Sequence, residues 1–331
     1  MSYRNSIQKT IATSKFTLPV VTVLSLIIWL TSFGQDIPQA ADRPSGLWQY
    51  IPEWITSGWM SVATGLSLSI LAVYLMAEFN NKFVLLRISS RMLSSTLAVM
   101  LTICTFIHSF QPAHIVLVLT MFAYYPLFFS YQRTDSMPMI FIAGLSLSAA
   151  SLFFPKMLLF APFFWMAQII LRSFTLRTLC ASILGIATPY WMLFSLAYVN
   201  GQFDGIYNRF VTDMQFTLPD YSSWSVPNWL SLGLILLTGT VGILNFYRRI
   251  YLDKTRTRTY IYVAVVMFAA STLLIMWETA HFNELLPILI INSSILTGHH
   301  LAQEYSRLSN IYTIVVCALI AGVTYANYIG L

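Results

Sequence analysis

An all-α, polytopic transmembrane bundle of about eleven spans is the fold class this sequence predicts, and three observations predict it. Of 331 residues, 57% are hydrophobic and only 9% charged, with a mean hydropathy of +0.70. A water-soluble globule of this size needs more polar surface than that. Apolar stretches of ~17 to 22 residues recur along the whole chain, the length that a bilayer core of ~30 Å demands of a helix. The basic residues gather in alternate short connections, as oriented insertion requires. A single transmembrane domain, residues 1–331, accounts for the sequence.

Spans are expected at roughly 16–34, 58–77, 93–110, 114–131, 138–154, 157–171, 178–199, 229–247, 259–277, 283–298 and 310–328. The first follows Arg4, Lys9 and Lys15 and ends at Ser32-Phe33-Gly34. Its apolar run is long for a cleavable signal peptide, so an uncleaved first helix is expected. The fifth and sixth are short and meet at Phe154-Pro155-Lys156, so they form either two crossings or a hairpin that only penetrates the bilayer. Pro126, Pro162, Pro189 and Pro287 interrupt spans. Segments 35–57 and 200–228 are long, aromatic and extracytoplasmic, as expected of pieces lying in the outer interface.

Threading eleven spans from a cytoplasmic N-terminus puts the C-terminus outside and assigns every connection a side before any charge is counted. Fifteen of the eighteen Lys and Arg residues then lie inside, and only Arg43, Lys156 and Arg209 lie outside. Four acids fall inside and eight outside, giving +11 and −5, which together account for the net +6. Topology therefore explains the basic balance, and nucleic acid is not an expected partner. Cys104, Cys180 and Cys317 sit in apolar runs without CxxC or Cys/His spacing, so no disulfide framework or structural zinc site is implied.

Ionisable residues that topology does not explain collect on the outer side. Asp36 and Asp42, just past the first span, are placed to act as a general base or to be solvated loop acids. Lys156, between two apolar runs, must snorkel to the interface or neutralise an anion such as a lipid phosphate. His108 and His114 bracket Pro112, and Glu278 and His281 are spaced to share one helical face at the end of the ninth span. These four supply the donor types of a two-His, one-carboxylate metal site. Nothing in the sequence joins the two turns, and no metal or cofactor is expected. Inside, His299, His300 and Glu304 read as a solvated helix end, and the Arg248 to Arg258 cluster as an orientation signal that contacts lipid headgroups. No Asp, Glu, Lys or Arg falls in the middle of a span, which disfavours an ion pump or proton-coupled carrier.

The stretch Met139–Phe164, MIFIAGLSLSAASLFFPKMLLFAPFF, leads to a basic turn at Arg172 to Arg177. It resembles a segment of the GT-C superfamily, polytopic glycosyltransferases that use lipid-phosphate-linked sugars. Ala143-Gly144-Leu145, Lys156 and Pro162 carry the resemblance, and Phe128-Phe129-Ser130-Tyr131-Gln132-Arg133 extends it more loosely, over residues 58–177 in all. With Asn80-Asn81-Lys82-Phe83 and the His114 turn, the same region is similar to an uncharacterised family of bacterial inner-membrane proteins. The GT-C resemblance implies a catalytic acid in the first outer loop, carried onto Asp36 or Asp42, with Lys156 and Arg43 holding phosphate. It also implies polyprenyl-phosphate and membrane lipids as partners. The adjacent acidic pair common in that loop is absent, as is the large extracytoplasmic domain of many members.

Two rival readings stand beside it. One is a non-catalytic scaffold that binds another envelope protein through its outer aromatic segments. The other is a lipid or small-solute transporter, motivated by the proline-interrupted spans.

Overall fold

The computed structural model describes residues 7–31, 46–133, 135–216 and 218–329. Among them there is no strand, and the helices follow the expected spans in order, with two short helices lying between spans. They are preceded by a short N-terminal helix, α1 (Ile7–Thr13). The segments begin with α2 (Thr17–Thr31), the four-residue outer helix α3 (Glu53–Thr56), α4 (Gly58–Phe83), α5 (Met92–Ile103) and α6 (Pro112–Phe129). They continue with α7 (Met137–Phe153), α8 (Ala161–Ile170), α9 (Leu176–Val199) and the outer helix α10 (Phe203–Asp213). The chain closes with α11 (Val226–Arg249), α12 (Thr255–Trp277), α13 (Phe282–Gln303) and α14 (Arg307–Ile329).

Seven helices are long and apolar enough to cross a bilayer, and α2, α5, α7 and the Pro155–Ile170 segment are shorter. The third span departs most from expectation. Helix α5 stops at Ile103, and a 3-10 turn at Thr105–Ile107 carries the chain to a buried His108. Helices α6, α9 and α13 continue through Pro126, Pro189 and Pro287, while Pro162 sits in the first turn of α8, where its missing N–H costs nothing.

Helix α13 is the axis of the bundle. It packs against α5, α6, α11 and α12, and its span is wholly buried. Lipid gives helices no hydrophobic reason to associate, so small residues and hydroxyls must hold them together. Gly242 of α11 and Gly298 of α13 permit backbone approach to Leu296 and Leu93. Tyr124 donates to Asn292 Oδ1 at 3.1 Å, Ser293 to the Ile235 carbonyl at 3.0 Å, and Thr96 to the Ser294 carbonyl at 3.0 Å. Helix α9, by contrast, leans chiefly on α7 and leaves most of its surface to lipid.

The C-terminal end of α13 corrects the reading of a solvated terminus, because His299, His300 and Glu304 are buried. Asp253 accepts from Arg87 Nε at 2.7 Å and lies 3.4 Å from His299 Nε2. Glu304 meets Arg249 at 3.1 Å and His300 Nδ1 at 3.6 Å. Helix α1 covers this cluster, with Gln8 Nε2 donating to the Leu301 and Glu304 carbonyls at 3.0 and 2.6 Å. The basic run after α11 is therefore partly structural. Arg249 takes part in the cluster, Arg256 lies over the Tyr131 and Tyr260 rings, and Arg258 donates to the Asp253 carbonyl.

Candidate functional site

At the opposite end of the bundle, the one expected to face outward, α12 stops one residue before Glu278, whose backbone leaves helical geometry and opens a 3-10 turn, Thr279–His281. Glu278 and His281 therefore do not share a helical face as their spacing suggested. The turn sends the Glu278 side chain inward, with no exposed surface, and leaves His281 partly exposed against the Phe154 ring at 5.2 Å. A second 3-10 segment, Pro155–Phe160, follows the extended Phe154 at the end of α7 and aims Lys156 into the same space.

Lys156 does not snorkel to the surface. It is buried, and its ammonium pairs with Glu278 Oε2. Burying both charges is tolerable only because each neutralises the other. The second Glu278 oxygen, Oε1, has no hydrogen-bond partner. Glu284, in the first turn of α13 where the helix dipole favours a carboxylate, lies 4.0 Å from His281 Nδ1 and feels the charge of Lys156. Glu284 had no role in the sequence reading. Its spacing of three from His281 was the available signal.

The outer segment 220–224 packs over this turn. The Asp220 backbone N–H donates to Thr279 Oγ1 and Trp224 Nε1 to the Thr279 carbonyl, both at 2.9 Å. Tyr221 donates to the Met276 carbonyl at 2.7 Å, and Trp224 packs on Phe282. Asp220 itself is exposed. Hydrogen bonds from the Ser222 side chain and backbone hold its carboxyl below the usual carboxylate range. Thr279 and Trp224, which tie the roof to the turn, carried no sequence signal for that role.

His108 and His114 belong to a separate cluster. The buried Trp29 of α2 stacks on His108 at 4.0 Å and meets the edge of His114 at 6.3 Å. His108 Nε2 lies 3.2 Å from the Thr102 carbonyl, and His114 takes part in the N-terminal capping box of α6. Gly65 leaves the room for them, since a Cβ there would sit 2.9 Å from the His108 carbonyl. The two histidines thus fasten α2, α4, α5 and α6 at their outer ends. Among the described residues, no group of three or more His, Cys, Asp or Glu forms a metal-ligand set. Asp36, Asp42 and Arg43 lie outside the described residues.

Neither a protein-family model nor a curated protein sequence matches this chain. Two solved structures do, both of the oligosaccharyltransferase of the archaeon Archaeoglobus fulgidus. One is tethered through a disulfide bond to an acceptor peptide containing the NVT sequon, at 11% identity and a TM-score of 0.52. The other is the apo form, at 10% identity and a TM-score of 0.53. The matches cover 95% of this chain but only 55% and 56% of the longer archaeal chain. At such identity the likeness is one of fold, and this chain spans about half the length of the archaeal enzyme.

Proposed function

We propose that this chain is a GT-C-like membrane glycosyltransferase of envelope biogenesis, residing in a bacterial inner membrane. It transfers a sugar from a polyprenyl-phosphate donor on the outer leaflet. The observation that carries this reading is the buried pair of Lys156 and Glu278, with the partly exposed Glu284 and His281 beside it, at one end of a bundle whose fold an oligosaccharyltransferase shares. In this proposal Asp36 or Asp42 is the base that takes the acceptor's proton. Arg43 and Lys156 hold the donor phosphate, Lys156 exchanging Glu278 for the phosphate when the donor enters. That exchange keeps the ammonium neutralised, and the released Glu278 takes up a proton, because neither charge is tolerated unpaired when buried.

Asp36→Asn and Asp42→Asn, singly and together, test the assignment in proteoliposomes supplied with a polyprenyl-phosphate sugar. Loss of transfer of 100-fold or more in one of them, with donor binding retained, is the expected result. Undiminished transfer in the double variant removes the assignment.

The engagement of Lys156 by Glu278 also favours a second reading, a non-catalytic scaffold in which the pair only fastens α7 to α12. A stoichiometric envelope partner co-purifying with wild type and with both Asn variants, without bound isoprenoid, would select it.

A further inference from the structure

A second feature of the outer face involves a residue to which the reading above gives no role. Helix α10 is amphipathic and aromatic, with Phe203 and Tyr207 stacked face to face at 5.8 Å and Phe210 set against Tyr190 of α9 at 5.1 Å. Such a helix lies at headgroup depth, one face toward hydrocarbon and the other toward water. Arg209 projects from it and is exposed. The acid best placed to neutralise it is Asp213, four residues on and one helical turn away. Asp213 is engaged elsewhere, its Oδ2 accepting the Gly46 backbone N–H at 3.0 Å. Among the described residues, no carboxylate comes within ion-pair distance of Arg209.

Arg209 lines a cleft with fixed walls. One wall is the 3-10 turn Gly46–Tyr50, whose first residue has φ +52 and packs so tightly on the Leu152 carbonyl that no side chain would fit. Trp48 pins the same turn to Phe110 at 4.9 Å. The facing wall is Tyr190, held by its hydroxyl to Ser151 at 2.7 Å. Pro155, next to Lys156, also lines the cleft. The cleft's volume of about 30 Å³ suits about two water-sized groups, enough for two oxygens of a phosphate and too little for a sugar.

We propose that this cleft binds the phosphate of a membrane lipid, with Arg209 as its charged anchor. An unpaired guanidinium at headgroup depth meets phosphate as its most abundant anion, and its planar fork matches two phosphate oxygens. The site stands apart from the proposed transferase reaction, because a resident phospholipid needs no sugar, no acceptor and neither Asp36 nor Asp42.

Native mass spectrometry of the full chain in detergent, titrated separately with phosphatidylglycerol, phosphatidylcholine and undecaprenyl phosphate, tests it. Wild type is expected to retain at least one phosphate lipid, with Arg209→Gln weakening that binding about tenfold and Arg209→Lys recovering part of it. Arg177→Gln, which removes an exposed cation at the other membrane face, should leave it unchanged. Retention of phosphatidylglycerol identifies a bilayer phospholipid as the source, and selective retention of undecaprenyl phosphate an isoprenoid one. Equal binding by wild type and Arg209→Gln, or equal loss in Arg177→Gln, overturns the proposal. Because Arg209 is exposed, an unchanged melting temperature verifies the fold of each variant. Asp36→Asn/Asp42→Asn should bind these lipids as wild type does, so failure of the transferase reading leaves this result readable.

Discussion

Replacing Lys156 by Met leaves Glu278 as a carboxylate with no exposed surface, one oxygen already without a partner and the other newly without one. Breaking a buried pair from one side costs ~3–5 kcal/mol, because the remaining charge has lost both water and counter-charge. At ~2 °C per kcal/mol for a chain of this length, the melting temperature should fall by roughly 6–10 °C. Replacing both partners by apolar residues of similar size removes the uncompensated charge, and such replacements are often neutral or stabilising. Lys156→Met/Glu278→Leu is therefore expected to melt within ~2 °C of wild type, and Glu278→Leu alone to resemble Lys156→Met. The assay is thermal unfolding in a mild detergent, followed by intrinsic fluorescence and by loss of the monodisperse peak in size-exclusion chromatography. A double variant as unstable as the sum of the singles would refute the pair as drawn, since residues that neutralise each other must show strong coupling. The same double variant should lose sugar transfer under the proposed function, and keep its co-purifying envelope partner if the chain is a scaffold in which the pair is only a fastener.

Acid sensitivity should be traceable to Asp253. Burial by itself would raise this carboxyl, but hydrogen bonds and charge from His299 and Arg87 outweigh it and hold the group below the usual carboxylate range. A carboxyl lowered in the folded state contributes stability that is present above the ordinary Asp value of ~3.9 and lost as pH falls through the folded value. The gap in melting temperature between wild type and Asp253→Asn should thus hold steady from neutrality to about pH 5 and shrink below about pH 4. A gap that widens on acidification would contradict this. A further test concerns helix approach. A Cβ at Gly144 would lie 2.7 Å from the Ser182 carbonyl, and one at Gly185 would collide with that of Phe141. Because the obstacles are backbone, Gly144→Ala or Gly185→Ala should cost ~1–3 kcal/mol. Gly233→Ala, with nothing within 4 Å, should be neutral or mildly stabilising in melting experiments.

Determined by sequence alone were the class and order of the helices, because the thickness of a bilayer sets how long an apolar run must be. Helices lie where hydropathy put the apolar runs, seven of them long enough to cross a bilayer and four shorter, and Arg87 and Arg249, which charge segregation assigned to one side, do gather at one end of the bundle. Lys156 was recognisable as an anomaly, since a cation between two apolar runs needs an explanation. Its partner was not, because Glu278 is 122 residues away and pairing across that distance leaves no local pattern. Helical periodicity also misled at Glu278 and His281, where a 3-10 turn rotates one residue inward and the other outward. The burial of His299 and His300 was hidden for a related reason: it depends on α1 folding back over the end of α13. Arg209 likewise reads as one more loop charge until the structure engages Asp213 at Gly46 and leaves the guanidinium without a counter-ion. Composition and spacing report each residue's relation to the bilayer. Only tertiary structure decides which charges meet, because in a low-dielectric bundle the cost of an unpaired charge is settled by neighbours that are remote in sequence.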